Sequence, residues 1–344
     1  MGISILSVDL KGLFTRELEM CQVVQGENVV VLSEPGSREE YAAAGFGAAK
    51  DLGAEVMHLQ VPGGSAIAFP VVKSGSGYGL EHLHEQAKRV LKEADFVLDV
   101  TLEGYIHTPV LKEILSSNTR VLLVCEPEDV LRRNMPTSRD RQEGIEAAKM
   151  LDEAKTMLVT SNAGTELEVD LTDCNPGYQC GFTDTPGRWD HWPSKMALCW
   201  PKSAGVQGRV VLQPGDIIFP FKEYVTSDIS IVFEHGRIVD ISGKSDARKL
   251  QLFIEEGNDD QGWLTSHMGW GLLDTATWTS LAMYSKESVM GMEGRCVSGN
   301  FMISTGPNPY EDRWTHVHTD IPMQSCNVDL DDRRVVEAGR VVVK

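Results

Sequence analysis

An α/β domain with a mostly parallel sheet over 1–156, followed by an α+β domain rich in antiparallel strands over 157–344, is the architecture this sequence predicts. Three observations point to it. Short apolar runs of β-branched residues alternate with helix-length stretches in the first half, which implies βαβ units. Tight turns join alternating strands in the second half, which implies hairpins. The 344 residues suffice for two units that each bury a core.

The first strand is Asn28-Val-Val-Val-Leu32, closed by the turn signal Glu34-Pro-Gly36. Ser37 then reads as an N-cap with Glu40 three residues on, opening an Ala-rich helix towards Leu52. Glu55–Val61 is the next strand, Leu80–Ala94 a helix and Asp95–Thr101 a strand. Pro109–Ser117 continues as a helix, Arg120–Cys125 as a strand and Ser138–Glu153 as a further helix. The glycine cluster Gly75-Ser-Gly77-Tyr-Gly79 fails the G-x-G-x-x-G spacing and reads as a loop. The turn after the first strand carries Glu34 where a pyrophosphate would have to approach, so dinucleotide binding is not expected.

Beyond 157 the strands are Asp228–Phe233, Arg237–Ile241 and Val335–Val343, with turns at Glu234-His-Gly236, Asp331-Asp-Arg333 and Ala338-Gly339. One helix, Ser245–Glu256, interrupts them with Ser245 as its N-cap.

A formal net charge of −18 repels phosphate backbones and anionic membranes, so no nucleic-acid or membrane-surface role is expected. No apolar run reaches the length of a membrane span, and the first residues lack a signal-peptide pattern. Leu6 stands where myristoylation would need Ser or Thr. Seven cysteines without a C-x-x-C pair fit neither a disulfide framework nor a zinc site, and point to a reducing cytoplasm.

The residues able to do chemistry cluster in a few segments. In Trp314-Thr-His-Val-His-Thr-Asp320, a strand would put His316, His318 and Asp320 on one face. Two imidazoles and a carboxylate can close on one cation as a 2-His-1-carboxylate triad, which suits Fe(II) because it leaves positions open; a polar strand face is the other reading. In Leu264-Thr-Ser-His-Met-Gly-Trp-Gly271, glycines around His267 allow backbone and metal to approach closely, though a lone histidine is often a satisfied core residue. Thr185-Pro-Gly-Arg-Trp-Asp-His-Trp-Pro-Ser194 brings Arg188, Trp189 and His191 together as a candidate wall for an aromatic or anionic ligand, or as a structural loop. His107 follows a strand of the parallel sheet, at the end where such sheets bind ligands, though a plain loop histidine is the commoner case.

These segments also carry a resemblance. Pro186-Gly-Arg-Trp-Asp-His-Trp-Pro-Ser194, Gly215-Asp-Ile-Ile218, Ser266-His-Met-Gly-Trp-Gly271, Gly299-Asn-Phe301, Ser304-Thr-Gly-Pro-Asn308 and His318-x-Asp320 resemble the 2,5-dihydroxypyridine 5,6-dioxygenases of nicotinic acid breakdown, in the same order over nearly the whole chain. Those enzymes are relatives of the thermophilic aminopeptidase T family, which implies an aminopeptidase-T-like fold. The peptidases hold two metals with acidic residues and a further histidine. Here Gly299–Gly306 offers apolar and hydroxyl residues instead, His267 stands where a bridging glutamate is found, and only Asp216 resembles a remaining acidic ligand. Loss of those ligands argues against two-metal hydrolysis.

The resemblance implies His267, His318 and Asp320 as Fe(II) ligands and leaves His316 surplus. It implies an extradiol-like cleavage of 2,5-dihydroxypyridine by O2 between C5 and C6, giving N-formylmaleamic acid. His107 is the expected base for the ring hydroxyl. His191 is expected to hydrogen-bond the oxygen or the ring, with Ser304, Gln179, Trp189 and Arg188 contacting substrate. Gln179 stands where the dioxygenases carry a glutamate, which bears on the ring substituent preferred. A homo-oligomer, a dimer or larger, is the implied assembly. The rival readings are a metallo-aminopeptidase with a rearranged site and a catalytically inactive binding protein of the same fold.

Overall fold

The computed structural model describes residues 9–63 and 83–343. The Gly75–Gly79 loop, the start of the Leu80–Ala94 helix and the N-terminal residues bearing on targeting lie outside the described residues.

The chain divides into two units. Among the described residues, the first takes those up to Ser138 and also Cys180–Pro193; the second holds Arg139–Gln179 and Ser194 onwards. The expected cut at 156/157 is therefore displaced, for two physical reasons. Trp189–His191 returns to pair in parallel with Arg120–Leu123, with Val121 opposite Trp189, and so becomes a fifth strand of the first sheet. The helix Ser138–Glu153 is tied to the second unit by the buried Lys195, whose ammonium lies 2.8 Å from Asp140 and 2.5 Å from Glu143.

In the first unit, strands run in the spatial order Glu55–Gln60, Asn28–Ser33, Phe96–Asp99, Arg120–Leu123, Trp189–His191, all parallel. Both faces of the middle strands are buried, as their unbroken apolar runs require. Val30, Leu32, Val97, Tyr105, Ile114 and Val121 form a core against which Trp189 packs. The helices are Leu10–Met20, Glu39–Asp51, Glu85–Glu93, Pro109–Leu115 and Glu128–Arg133. Ser37 does not cap its helix. Its hydroxyl accepts the Glu34 N–H at 2.9 Å, and the helix begins two residues later.

The second unit holds an eight-stranded antiparallel sheet and a five-stranded one. The eight-stranded sheet contains the expected hairpins. His235 and Gly236 both have positive φ at the turn between Ile229–Glu234 and Arg237–Gly243, the geometry that matches strand twist. Ala338 and Gly339 make the same turn and divide the expected Val335–Val343 strand in two. The five-stranded sheet runs Thr319–Met323, Phe301–Thr305, Thr265–Gly271, Met196–Trp200, Asn175–Gln179, antiparallel throughout. Its centre is buried on both faces, so little period-2 alternation marks it. Close packing there depends on glycine: a Cβ on Gly269 would meet the Ala197 carbonyl oxygen at 2.0 Å.

Candidate metal centre

Two neighbouring strands of the five-stranded sheet position Asp320. Ser304 and Asp320 are direct cross-strand partners, and His318 immediately precedes the strand that carries Asp320. His267 comes from the next strand. The register slips between Thr265 and Met268 against Phe301–Thr305, a bulge that re-aims the residues inside it.

The result is a buried convergence. His318 Nε2 lies 3.2 Å and His267 Nε2 3.8 Å from Asp320 Oδ1. The two imidazole centroids are 5.5 Å apart. All three residues are buried. The side chains of His267, His318 and Asp320 thus come together within the second unit.

Each of these side chains is held from behind. His318 Nδ1 lies 2.8 Å from the Thr305 carbonyl oxygen. A carbonyl only accepts, so Nδ1 carries a proton and Nε2 faces Asp320. Asp320 Oδ2 accepts from Arg295 Nε at 2.6 Å, and Oδ1 accepts from Ser304 Oγ at 2.5 Å. Ser304 Oγ also lies 3.1 Å from His267 Nδ1. The Trp200 ring stands edge-on to His267 at 5.6 Å.

Electrostatics favour a cation among these groups. Burial by itself would raise the Asp320 carboxyl, but His318 and Arg295 outweigh it and hold it well below the usual carboxylate range. Burial pushes His267 down to about 4, only partly offset by the Asp320 charge, so its ring is neutral and able to ligate. A ring nitrogen 3.2 Å from a carboxylate oxygen needs a proton or a metal ion between the two. Two imidazoles and one carboxylate oxygen match the chemistry of a divalent transition metal.

Arg295 was not legible as a site residue. It sits on the short buried helix Met292–Cys296, donates to the Met290 carbonyl at 2.7 Å and stacks over Phe219 at 3.6 Å. Asn300, from the Gly299-Asn-Phe301 motif, donates to the Gly294 and Arg295 carbonyls and accepts the Gly271 N–H, tying this helix to the His267 strand.

Other expected residues lie elsewhere. The strand begins at Thr319, not before His316, and His316 Nε2 lies 3.1 Å from the Gly257 carbonyl oxygen, away from the cluster. Asp216 accepts the backbone N–H groups of Gln213 and Gln324, each at 2.8 Å, and its buried carboxyl is raised to about 6. The Ser304 hydroxyl, expected against substrate, lies 2.5 Å from Asp320 Oδ1 and 3.1 Å from His267 Nδ1. Gln179 ends the outermost strand of the five-stranded sheet and accepts from Ser194 Oγ at 2.6 Å.

His107, His191, Arg188 and Trp189 belong to the first unit. Arg188 pairs with the fully buried Asp190 at 2.8 Å, and Asp190 in turn accepts the N–H groups of Cys180 and His191. The Trp189 ring stands edge-on to His191 at 4.6 Å. His107 has φ 65, a left-handed conformation costly for a residue with a side chain. Its loop is knit locally: Asp99 Oδ1 accepts from the Thr101 N–H and hydroxyl, Thr101 Oγ1 accepts from the Gly104 N–H, and Thr108 Oγ1 donates to the Tyr105 carbonyl. Burial raises the Asp99 carboxyl to about 7.

Among the described residues, no helix is long and apolar enough to cross a membrane. Comparison with known proteins gives a consistent family. The family model described as NicX, 2,5-dihydroxypyridine 5,6-dioxygenase, matches residues 9–343. The 2,5-dihydroxypyridine 5,6-dioxygenase of Pseudomonas putida KT2440 is 35% identical over 343 residues, covering 98% of this chain and 97% of that protein. A solved structure of 2,5-dihydroxypyridine dioxygenase from Pseudomonas putida KT2440 superposes with a TM-score of 0.93 at 34% identity, over 97% of each chain. AmpT from Thermus thermophilus superposes with a TM-score of 0.67 at 14% identity, covering 97% of this chain and 99% of its own, and shares the fold alone.

Proposed function

Because the chain belongs to the 2,5-dihydroxypyridine 5,6-dioxygenase family, we propose that it opens 2,5-dihydroxypyridine between C5 and C6 with O2, using one ferrous ion held by His267, His318 and Asp320. The observation that carries this reading is the convergence of two ring nitrogens on one carboxylate oxygen in a buried site. Three protein donors would hold such an ion and still leave room at it for substrate and O2. A ferrous ion held there would supply a common site for the electron-rich ring and O2 and a path for electron density between them, lowering the entropic and spin barrier.

The protein's own groups do the rest. Asp320 supplies the negative charge, and Arg295 and Ser304 fix its orientation. His107 is the proposed base for the ring hydroxyl, because an imidazole ordinarily titrates near working pH. Its strained backbone, held by the Asp99 and Thr101 bonds, supports a role beyond packing. His191 is proposed to hydrogen-bond the reacting oxygen or the ring. Trp189 buttresses that imidazole and Arg188 fixes the adjoining Asp190, so both serve substrate at one remove. Gln179 is proposed to meet the ring's polar edge through its amide NH2, since its Oε1 already accepts from Ser194. N-Formylmaleamic acid is the proposed product.

The seven free cysteines, six of them buried, fit the proposed reducing cytoplasm. The proposed assembly is a homo-oligomer.

The same donor types serve in zinc hydrolases, so metal and oxygen must be measured together. Anaerobically loaded protein is expected to hold one iron per chain and consume O2 with 2,5-dihydroxypyridine. His318→Ala is expected to lose iron and activity together. Full activity in iron-free His318→Ala protein would refute the assignment.

A further inference from the structure

This inference rests on the ferrous reading above and concerns how the chain presets its ligands. Ser304 is fully buried, with its hydroxyl 2.5 Å from Asp320 Oδ1 and 3.1 Å from His267 Nδ1. A serine hydroxyl has one proton to give, and an ionised carboxylate can only accept. The Ser304 proton therefore goes to Asp320, and Ser304 must accept from His267. That makes Nδ1 the protonated nitrogen of His267 and leaves Nε2, the atom 3.8 Å from Asp320 Oδ1, with its lone pair. The arrangement is rigid, because Ser304 and Asp320 are cross-strand partners and Arg295 holds the second carboxylate oxygen at 2.6 Å.

We propose that Ser304 is a positioning residue that sets the tautomer of His267 and the orientation of Asp320, so that two ring nitrogens and one oxygen are ready before a metal arrives. Its hydroxyl has no further proton to offer a substrate. The rule generalises from metal sites in which the non-ligating ring nitrogen donates to a fixed acceptor, where losing that acceptor weakens metal binding on the order of 10–100-fold.

Anaerobic Fe(II) titration of wild type, Ser304→Ala and Ser304→Thr, with KM measured at saturating iron, tests this. Ser304→Ala is expected to lose on the order of 10–100-fold in iron affinity with KM for 2,5-dihydroxypyridine unchanged. Ser304→Thr, which keeps the hydroxyl, is expected to restore iron affinity. Unchanged iron affinity with a raised KM in Ser304→Ala would make Ser304 a substrate contact and overturn the proposal. If Ser304→Ala does not fold, nitrogen-15 spectra of zinc-loaded wild type decide: metal on His267 Nε2 with the proton on Nδ1 is expected, and the reverse overturns it. Wild type that binds no divalent metal overturns the ferrous reading itself, and this inference with it.

Discussion

Acidifying the metal-free protein beside a His267→Asn variant isolates the His267 imidazole. Burial lowers this ring from 6.5 to about 4 in the folded state, while in the unfolded chain it returns to its ordinary value. The folded value of this base is depressed, so the unfolded state takes up the proton first as pH falls. Stability is therefore lost through the window from 6.5 down to about 4. Integrating the two titrations gives a loss of about 2 kcal/mol at about pH 5. Asp320 acts with the usual carboxylate sign and, held well below its ordinary range, loses its contribution only at lower pH. Asp216, raised to about 6, and Asp99, raised to about 7, act oppositely and gain stability as pH falls. The wild-type profile is thus a sum of terms, and the difference from a variant is what isolates one of them. His267→Asn removes the titrating ring and keeps an N–H donor near the Nδ1 position. Urea unfolding with chelator present, at about pH 8 and about pH 5, can follow the summed tryptophan fluorescence, to which Trp200, 5.6 Å from the ring, contributes. The stability gap between variant and wild type is expected to move by about 2 kcal/mol in favour of the variant on acidification. A gap that does not change between the two pH values would refute the reasoning.

His107→Ala is expected to keep its iron and lose on the order of 10²–10⁴ in kcat, as removal of a general base does, measured by oxygen uptake with iron assayed in the same sample. Lys195→Met removes a buried ammonium shared by Asp140 and Glu143 and is expected to cost about 3 kcal/mol in urea unfolding, because two carboxylates lose their partner.

The parallel sheet and the hairpins could be read from sequence because burial leaves a direct pattern there. The Val-rich run at 28–33 is covered on both faces, and the hairpin turns need His235-Gly236 and Ala338-Gly339 at positive φ. The unit boundary could not be read. Trp189–His191 is a three-residue strand whose partner lies more than sixty positions earlier, and no local pattern specifies that pairing. His318 and Asp320 stood out by spacing and His267 by its glycines. His316 has the same spacing, but the strand starts beyond it and its ring lies against the Gly257 carbonyl. Arg295 and the Thr305 carbonyl act through hydrogen bonds to residues distant in sequence, and a backbone oxygen leaves no mark in the sequence.

The central claim is that one ferrous ion on His267, His318 and Asp320 drives oxygen-dependent ring opening. Its most direct test is a single-sample measurement of iron bound, O2 consumed and 2,5-dihydroxypyridine lost in anaerobically loaded protein. One iron per chain, with O2 and substrate disappearing in equal amounts, is the result expected. Substrate loss without oxygen uptake, or ring opening by protein freed of iron, would contradict it.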